Sequence, residues 1–372
     1  MSSYNGIINQ LESTGNLRRI PPDTSSRTDI VDFSLNDYLG LGTRTDLQEE
    51  FFNDEANRRI PMTSSASRLL ASAQEAYFSL EEKLQGLYGR PALLFNSGYH
   101  ANTGLISSLA EGKTLILADK LVHASMIDGM VLSKCRFMRF RHNDAAHLQR
   151  LIDANCDDYD RILILVESVY SMDGDVAPLA DITRVKRSCP KALLYVDEAH
   201  ALGVLGPQGL GLCRGADFYE DVDIVIGTFG KACASSGAFC AVADPVVKEF
   251  AVNRARSFIF STALSPMTAA WTEFMIDHMV NMDGEREHLL KLGALLADEA
   301  PPSLPHHIFP VIVGDAEKAV RLSRELLGEG LKVLPIRTPT VPPGTERLRI
   351  SLSAAMTTQD IMRLKEALAR YL

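Results

Sequence analysis

Ala192-Leu193-Leu194-Tyr195-Val196-Asp197-Glu198-Ala199-His200 is an apolar run that ends on an acid, with a histidine three residues later. An apolar run without polar alternation suits a strand buried on both faces of a mostly parallel sheet. Further along, Asp223-Ile224-Val225-Ile226-Gly227 leads in the same way into Thr228-Phe229-Gly230-Lys231. A lysine delivered by a buried strand can be desolvated, which favours the neutral amine that forms a Schiff base. A carboxylate at the neighbouring strand end can pair with a protonated pyridine nitrogen and keep the ring an electron sink. Taken singly, Asp197 reads more readily as a helix cap and Lys231 as a surface lysine. Their order, 34 residues apart, raises both signals together and predicts pyridoxal 5′-phosphate as cofactor.

Working outward, the runs Ala92–Phe95, Thr114–Leu117, Arg136–Phe140, Ile162–Val166 and Ala238–Ala243 alternate with stretches of helical periodicity. That alternation is an α/β layout. Ligands in open α/β sheets sit beyond the carboxyl ends of the strands. Asn96-Ser97-Gly98-Tyr99, Glu167-Ser168-Val169-Tyr170-Ser171, Asp197–His200 and Thr228–Lys231 all fall at such ends. The amides of Gly98 and Tyr99 open an amphipathic segment and can hold a phosphate at a helix N-terminus, or simply make a strand-to-helix turn. His123 is placed to stack on a flat cofactor ring, although a core or solvent-facing histidine is the commoner fate. The glycines of Gly206-Pro207-Gln208-Gly209-Leu210-Gly211 lack dinucleotide-binding spacing and read as a turn.

The character changes near Ser261–Pro266, after which Met267 to about Ala300 reads as helical and Pro301-Pro302-Ser303-Leu304-Pro305 is a break. Beyond it the pattern predicts a strand (Phe309–Val313), a helix (Ala316–Leu327), a strand (Leu331–Ile336), a Pro/Gly loop (Thr338–Thr345), a strand (Arg347–Leu352) and a last helix. That helix carries Ile361, Leu364, Leu368 and Leu372 on one face, with Thr357 and Asp360 placed for a capping box. The expected division is an N-terminal segment (1–45), a large cofactor-binding domain (46–265), and a linking helix with a small α+β domain (266–372).

Composition bounds what such a fold can do. The chain has 372 residues, 46% hydrophobic and 23% charged, enough for one large domain and a smaller one. With 38 basic and 47 acidic residues its net charge is −9, which argues against non-specific binding to nucleic acid or anionic membranes. Its six cysteines show no C-x-x-C and no zinc-like spacing, and read as reduced, mostly packed thiols. The start, MSSYNGIINQ, lacks a basic region followed by an apolar stretch, and no run approaches the ~20 residues of a membrane span. A soluble cytosolic protein is expected.

An ordered set of motifs, covering nearly the whole chain from Leu17, resembles the α-oxoamine synthases, a family of fold-type I pyridoxal-phosphate enzymes. The motifs are Asn36-Asp37-Tyr38-Leu39-Gly40-Leu41, Ser64-Ser65-Ala66-Ser67-Arg68-Leu69-Leu70, Asn96–Asn102, His123-Ala124-Ser125, Ser171-Met172-Asp173-Gly174-Asp175, Asp197–His200 and Thr228–Lys231. The stretch Ile336–Ile350 is most similar to the branch that condenses L-alanine with a pimeloyl thioester. The resemblance implies an aspartate aminotransferase-like fold and a homodimer. It implies that Lys231 carries the cofactor as a Schiff base and Asp197 pairs with the pyridine nitrogen. His123 would stack on the ring, with His200 and Ser171 near its phenolic oxygen. Gly98, Tyr99 and Thr228 would hold the phosphate, helped by Thr262 of a second subunit. Arg349 would fix the amino-acid carboxylate, Thr340 would touch the substrate-loop side of the pocket, Arg18, or its neighbour Arg19, would meet the acyl substrate, and His123 would border the substrate as well as the ring. A glycine- or serine-using sibling, a pyridoxal-phosphate aminotransferase and a non-catalytic partner subunit are the alternatives; the presence of Lys231, His123 and Asp197 argues against the last.

Overall fold

The apolar runs become strands where neighbouring strands and helices bury both of their faces. In the computed structural model, which describes residues 2–20, 23, 27–297 and 307–371, the strands are β1 (Val31–Asp32), β2 (Ala92–Phe95), β3 (Thr114–Asp119), β4 (Arg136–Phe140), β5 (Arg161–Glu167), β6 (Ala192–Asp197), β7 (Ile224–Thr228), β8 (Ala238–Val242), β9 (Ile308–Ile312), β10 (Leu331–Lys332), β11 (Leu334–Ile336) and β12 (Arg347–Ser351). Two compact units form. One comprises Leu39–Tyr170 and Asp175–Arg286; the other comprises Met1–Tyr38, Ser171–Gly174 and Glu287–Leu372.

The larger unit is built on a seven-stranded sheet of order β2-β8-β7-β6-β5-β3-β4. All its pairings are parallel except those of β8, which runs against both β2 and β7. The carboxyl ends of β2, β3, β5, β6 and β7 therefore share one edge, as the α/β reading expects. Register places Asp197 opposite Glu167 on one side and Ile226 on the other. On one face the helices Gly98–Leu109 and Ala124–Ser133 pack Leu105, Ile106, Met126 and Met130 against Leu163, Leu165 and Ile226. Each such side chain contributes about 1.5–3 kcal/mol on burial. The two helices approach closely at Gly129, where a Cβ would stand 2.9 Å from Ile106 Cβ and 3.0 Å from the Asn102 carbonyl oxygen. Edge strand β4 is the exception to burial, with Arg136 and Phe137 exposed.

In the smaller unit β11, β12 and β9 form an antiparallel sheet, while β1 pairs in parallel with β10. The run Leu331–Ile336, expected as one strand, divides at Val333: Leu331–Lys332 pairs with β1 and Leu334–Ile336 with β12. Apolar pattern alone does not distinguish one strand from two that serve different sheets. The last helix, Thr358–Tyr371, has the expected capping box: Thr357 donates through N (2.8 Å) and Oγ1 (2.7 Å) to Asp360 Oδ2, and Asp360 N donates back to Thr357 Oγ1 (3.2 Å). Ile361 and Leu364 are buried beneath it. Leu372 and the proline-rich break lie outside the described residues.

A second expectation is also corrected. Cys156 and Cys189, read as reduced thiols, are joined in a disulfide with Cα atoms 6.3 Å apart, whereas Cys135, Cys213, Cys233 and Cys240 are free. Cys156 follows the helix Ala145–Asn155 and Cys189 lies just beyond the helix Leu179–Arg187. Their separation of 33 residues gave no motif, and packing of the two helices creates the proximity. Among the described residues no helix is long and apolar enough to cross a membrane.

Candidate active site

Asp197 ends β6 and is buried. Its Oδ2 accepts from Asn102 Nδ2 at 2.8 Å and its Oδ1 from the Ala199 amide at 2.9 Å, which fixes the plane of the carboxylate. Asn102 is itself held. Its Nδ2 also donates to Ser125 Oγ (2.9 Å) and its Oδ1 accepts from the Tyr195 hydroxyl (2.6 Å). Burial, then the charge of Asp197, pushes the Tyr195 phenol far up, so it remains a donor. Sequence reasoning saw Asn102 only as part of a loop motif; the available signal was an amide on the inner face of the helix that Gly98 opens. Neighbouring Glu198 turns away and accepts from the amides of Leu212 (2.8 Å) and Cys213 (3.2 Å), and burial lifts its carboxyl to about 7.

Lys231 lies in the turn after β7, with Nζ 3.0 Å from Nε2 of buried His200. Thr228, the last residue of β7, donates through Oγ1 to the Gly237 carbonyl at 3.1 Å. Beside it the helix Gly98–Leu109 begins, capped by Ser97, whose Oγ accepts from the His100 amide (3.2 Å). The amides of Gly98 and Tyr99, first-turn donors, meet no acceptor among the described residues. A Cβ on Gly98 would lie 3.8 Å from Thr228 Cβ, so the hydroxyl and the helix N-terminus stand side by side. The Tyr99 side chain is exposed and donates to Asp128 Oδ2. The Thr262 carbonyl accepts from Asn96 Nδ2 at 2.6 Å, which ties it to the turn preceding that helix.

His123 caps the helix Ala124–Ser133, and its Nδ1 lies 2.7 Å from Ser125 Oγ. A continuous chain of hydrogen bonds thus runs His123, Ser125, Asn102, Asp197. Burial lowers the His123 pKa, Asp197 acts to raise it and Lys231 to lower it again, leaving a neutral, flat ring in the field of both groups. The turn that carries His123 is anchored at wholly buried Asp119, the last residue of β3. Asp119 accepts from the amides of Leu121 (2.8 Å) and Asn143 (2.8 Å) and from His142 Nδ1 (2.9 Å), while His142 Nε2 reaches Asp175 Oδ2 at 2.6 Å. Burial disfavours the charged His142 ring, but hydrogen bonds and charge from Asp119 and Asp175 override it and raise its pKa to about 10.

A folded-state pKa above the unfolded value of about 6.5 gives stability that is present in full below that value and lost as pH rises through about 10. Melting temperature is therefore expected to fall between pH 7 and 10. The fall should be shallower in His142→Gln, as scanning calorimetry across that range would show; parallel curves would remove His142 as the source.

In the smaller unit, Arg349 projects from β12. Its Nε donates to the Ser171 carbonyl (2.6 Å) and its Nη1 to Asn36 Oδ1 (3.1 Å), while Nη2 is buried without a hydrogen-bond partner among the described residues. A guanidinium with two corners fixed and one unfilled suits a carboxylate ligand. Arg18 Nη2 donates to Thr340 Oγ1 at 2.9 Å, whereas Arg19 Nη2 pairs with Glu12 at 2.9 Å. Structure thus brings together Lys231 with His200, His123 with Asp197, Gly98 with Thr228, Ser171 with Arg349, and Arg18 with Thr340.

Residues 28–368 match the family described as aminotransferase class I and II. The chain belongs to that family. It is 45% identical over 339 residues, 89% of its length and 87% of the relative's, to a Pasteurella multocida protein named "Putative 8-amino-7-oxononanoate synthase". A serine palmitoyltransferase from S. paucimobilis, solved with a PLP-myriocin adduct, superposes with TM-score 0.90 at 26% identity over 100% of this chain and 97% of that one. An 8-amino-7-oxononanoate synthase from Francisella tularensis gives TM-score 0.76 at 26% identity, covering 94% of this chain and 98% of that one. This class I and II family member is thus a fold-type I enzyme of the α-oxoamine synthase type, with pyridoxal 5′-phosphate as cofactor.

The donor set fits that cofactor. A fixed carboxylate, an amine on a strand-end turn, two unfilled first-turn amides beside a threonine hydroxyl and a neutral imidazole match, in order, a pyridinium nitrogen, an aldehyde, a phosphate and a ring face.

Proposed function

We propose that the enzyme condenses L-alanine with a pimeloyl thioester, releasing carbon dioxide and the thiol and giving 8-amino-7-oxononanoate, a step of biotin biosynthesis. The observation that carries this reading is the 45% identity over 89% of the chain to a relative so named. The arginine-bearing strand Arg347–Ser351 and the preceding loop with Thr340 support it. When bound, pyridoxal phosphate supplies an electron sink for the pair released at the amino acid's α-carbon.

The chain's own residues do the rest. Lys231 Nζ takes the α-proton as general base and later returns it to the decarboxylated product; His200, 3.0 Å away, holds that amine in place between the two transfers. Asp197, oriented by Asn102, keeps a negative charge beside the ring nitrogen. His123 covers the ring face as a neutral imidazole and adds no competing positive charge. Gly98 and Tyr99 amides and the Thr228 hydroxyl hold the phosphate, with Ser171 near the ring oxygen. Arg349 uses its unfilled Nη2 for the amino-acid carboxylate, and Arg18 with Thr340 receives the acyl chain. The homodimer, the contribution of Thr262 to a second subunit, and the cytosolic setting implied by the family likeness belong to the same proposal.

Amino-acid preference tests it. Purified holoenzyme should change its visible absorbance with L-alanine at concentrations at least about tenfold below those needed for glycine or L-serine. With pimeloyl-CoA added, thiol and carbon dioxide should appear in equal amounts. Preference for glycine or serine would assign the chain to a sibling, and pyruvate without thiol release to an aminotransferase.

A further inference from the structure

Wholly within the smaller unit, a cleft of about 430 Å³ is lined by Arg19, Arg321, Arg324 and Arg337, with Glu12 and Glu317 as its carboxylates. Four guanidinium groups against two carboxylates is an unusual local balance in a chain of net charge −9. Glu12 is already engaged by Arg19 at 2.9 Å. Arg321 and Arg324 lie one turn apart on the helix Ala316–Gly328, exposed on one face, and form no ion pair among the described residues. Arg337 is half-buried and, among the described residues, donates only to main-chain carbonyls, those of Gly15 (2.6 Å) and Leu17 (3.4 Å). Burial, and then the charges of Arg18 and Arg324, depress its pKa.

Gathering like charges around a half-buried guanidinium is costly unless an anion joins them. Planar guanidinium forks match phosphate oxygens bidentately, and the cleft's size is that of a small-molecule pocket rather than a flat protein-docking face. It is also joined to the substrate loop of the same unit, because Arg18, next to Arg19, holds Thr340. We propose that this cleft binds the phosphate-bearing nucleotide end of coenzyme A, so that the thioester donor is held by its leaving group. The proposal rests on the acyl-thioester reading above and deepens it.

The Arg321→Gln, Arg324→Gln double variant tests it in two ways. By calorimetry, coenzyme A alone should bind the variant holoenzyme about tenfold or more weakly than the unmodified holoenzyme, with a smaller dependence on salt. In turnover, the ratio of kcat/KM for pimeloyl-CoA to that for the pimeloyl thioester of N-acetylcysteamine, which lacks phosphates, should fall by a similar factor. Arg321→Lys with Arg324→Lys should restore part of both, which a fold defect would not allow. Unchanged coenzyme A affinity, or an equal loss with both thioesters, overturns the proposal. A loss confined to pimeloyl-carrier protein overturns it in favour of a protein partner. Coenzyme A binding needs no turnover, so its result stands apart from the alanine-preference test of the reaction itself.

Discussion

Lys231→Ala is expected to lower kcat/KM for thioester-dependent condensation by about four orders of magnitude, while the melting temperature changes little. The stability side follows from position. Lys231 is only half-buried in a turn after the sheet, so truncation leaves no cavity in the sheet, and it removes the 3.0 Å approach to His200. The activity side follows from two losses at one atom. General-base transfer by a positioned side chain is worth about 10²–10⁴-fold, and in the proposed function the same amine also anchors the cofactor covalently in the resting enzyme. His200 does not replace it, because its Nε2 is placed on the lysine nitrogen rather than on the proton to be moved. Added methylamine should recover part of the lost rate, since a small amine can enter the space that Nζ vacates. A residual rate within about tenfold of the unmodified enzyme would place the base elsewhere.

The same turn shows how far sequence reading reaches. β6 and β7 were legible because strands covered on both faces are written as continuous apolar runs, and a run that stops on a charged residue marks the strand end where chemistry gathers. The placement of Asp197 at the end of β6 and of Lys231 just beyond β7 is therefore legible without any contact being known. Their supports were not legible. Asn102 reaches Asp197 across 95 residues, and nothing in the pattern of an amphipathic helix says which inward polar group meets which strand end. His142 shows the same limit from the other side. It stands in a polar stretch after edge strand β4, where only the folded chain brings Asp119 and Asp175 to its two nitrogens. The Cys156–Cys189 bond and the division of Leu331–Ile336 between two sheets are likewise products of tertiary packing, to which local periodicity is blind. The arginine cleft was invisible for a related reason, since its residues come from the segment Glu12–Arg19, one helix face and the residue that follows β11.

Asp197→Asn should cost about two to three orders of magnitude in kcat with the fold intact. The substitution is close to isosteric, and an amide at 197 can still accept through its oxygen from Asn102 Nδ2 or from the Ala199 amide, each now 2.8–2.9 Å from a carboxylate oxygen. What it removes is the negative charge that the proposed function places beside the ring nitrogen, at a buried position where fixed charges act at low dielectric strength. Because that charge matters most when electrons move onto the ring, kcat should fall while the KM for L-alanine, which the proposed function assigns to Arg349, moves by less than about threefold. Asn102→Ala should reproduce about tenfold of the loss by letting the Asp197 carboxylate rotate. The double variant should be no worse than Asp197→Asn alone, since the amide's contribution is exerted through the carboxylate it orients. Additive losses would instead assign Asn102 a contact of its own with cofactor or substrate, and its hydrogen bonds to Ser125 and the Tyr195 hydroxyl would then serve to aim it there.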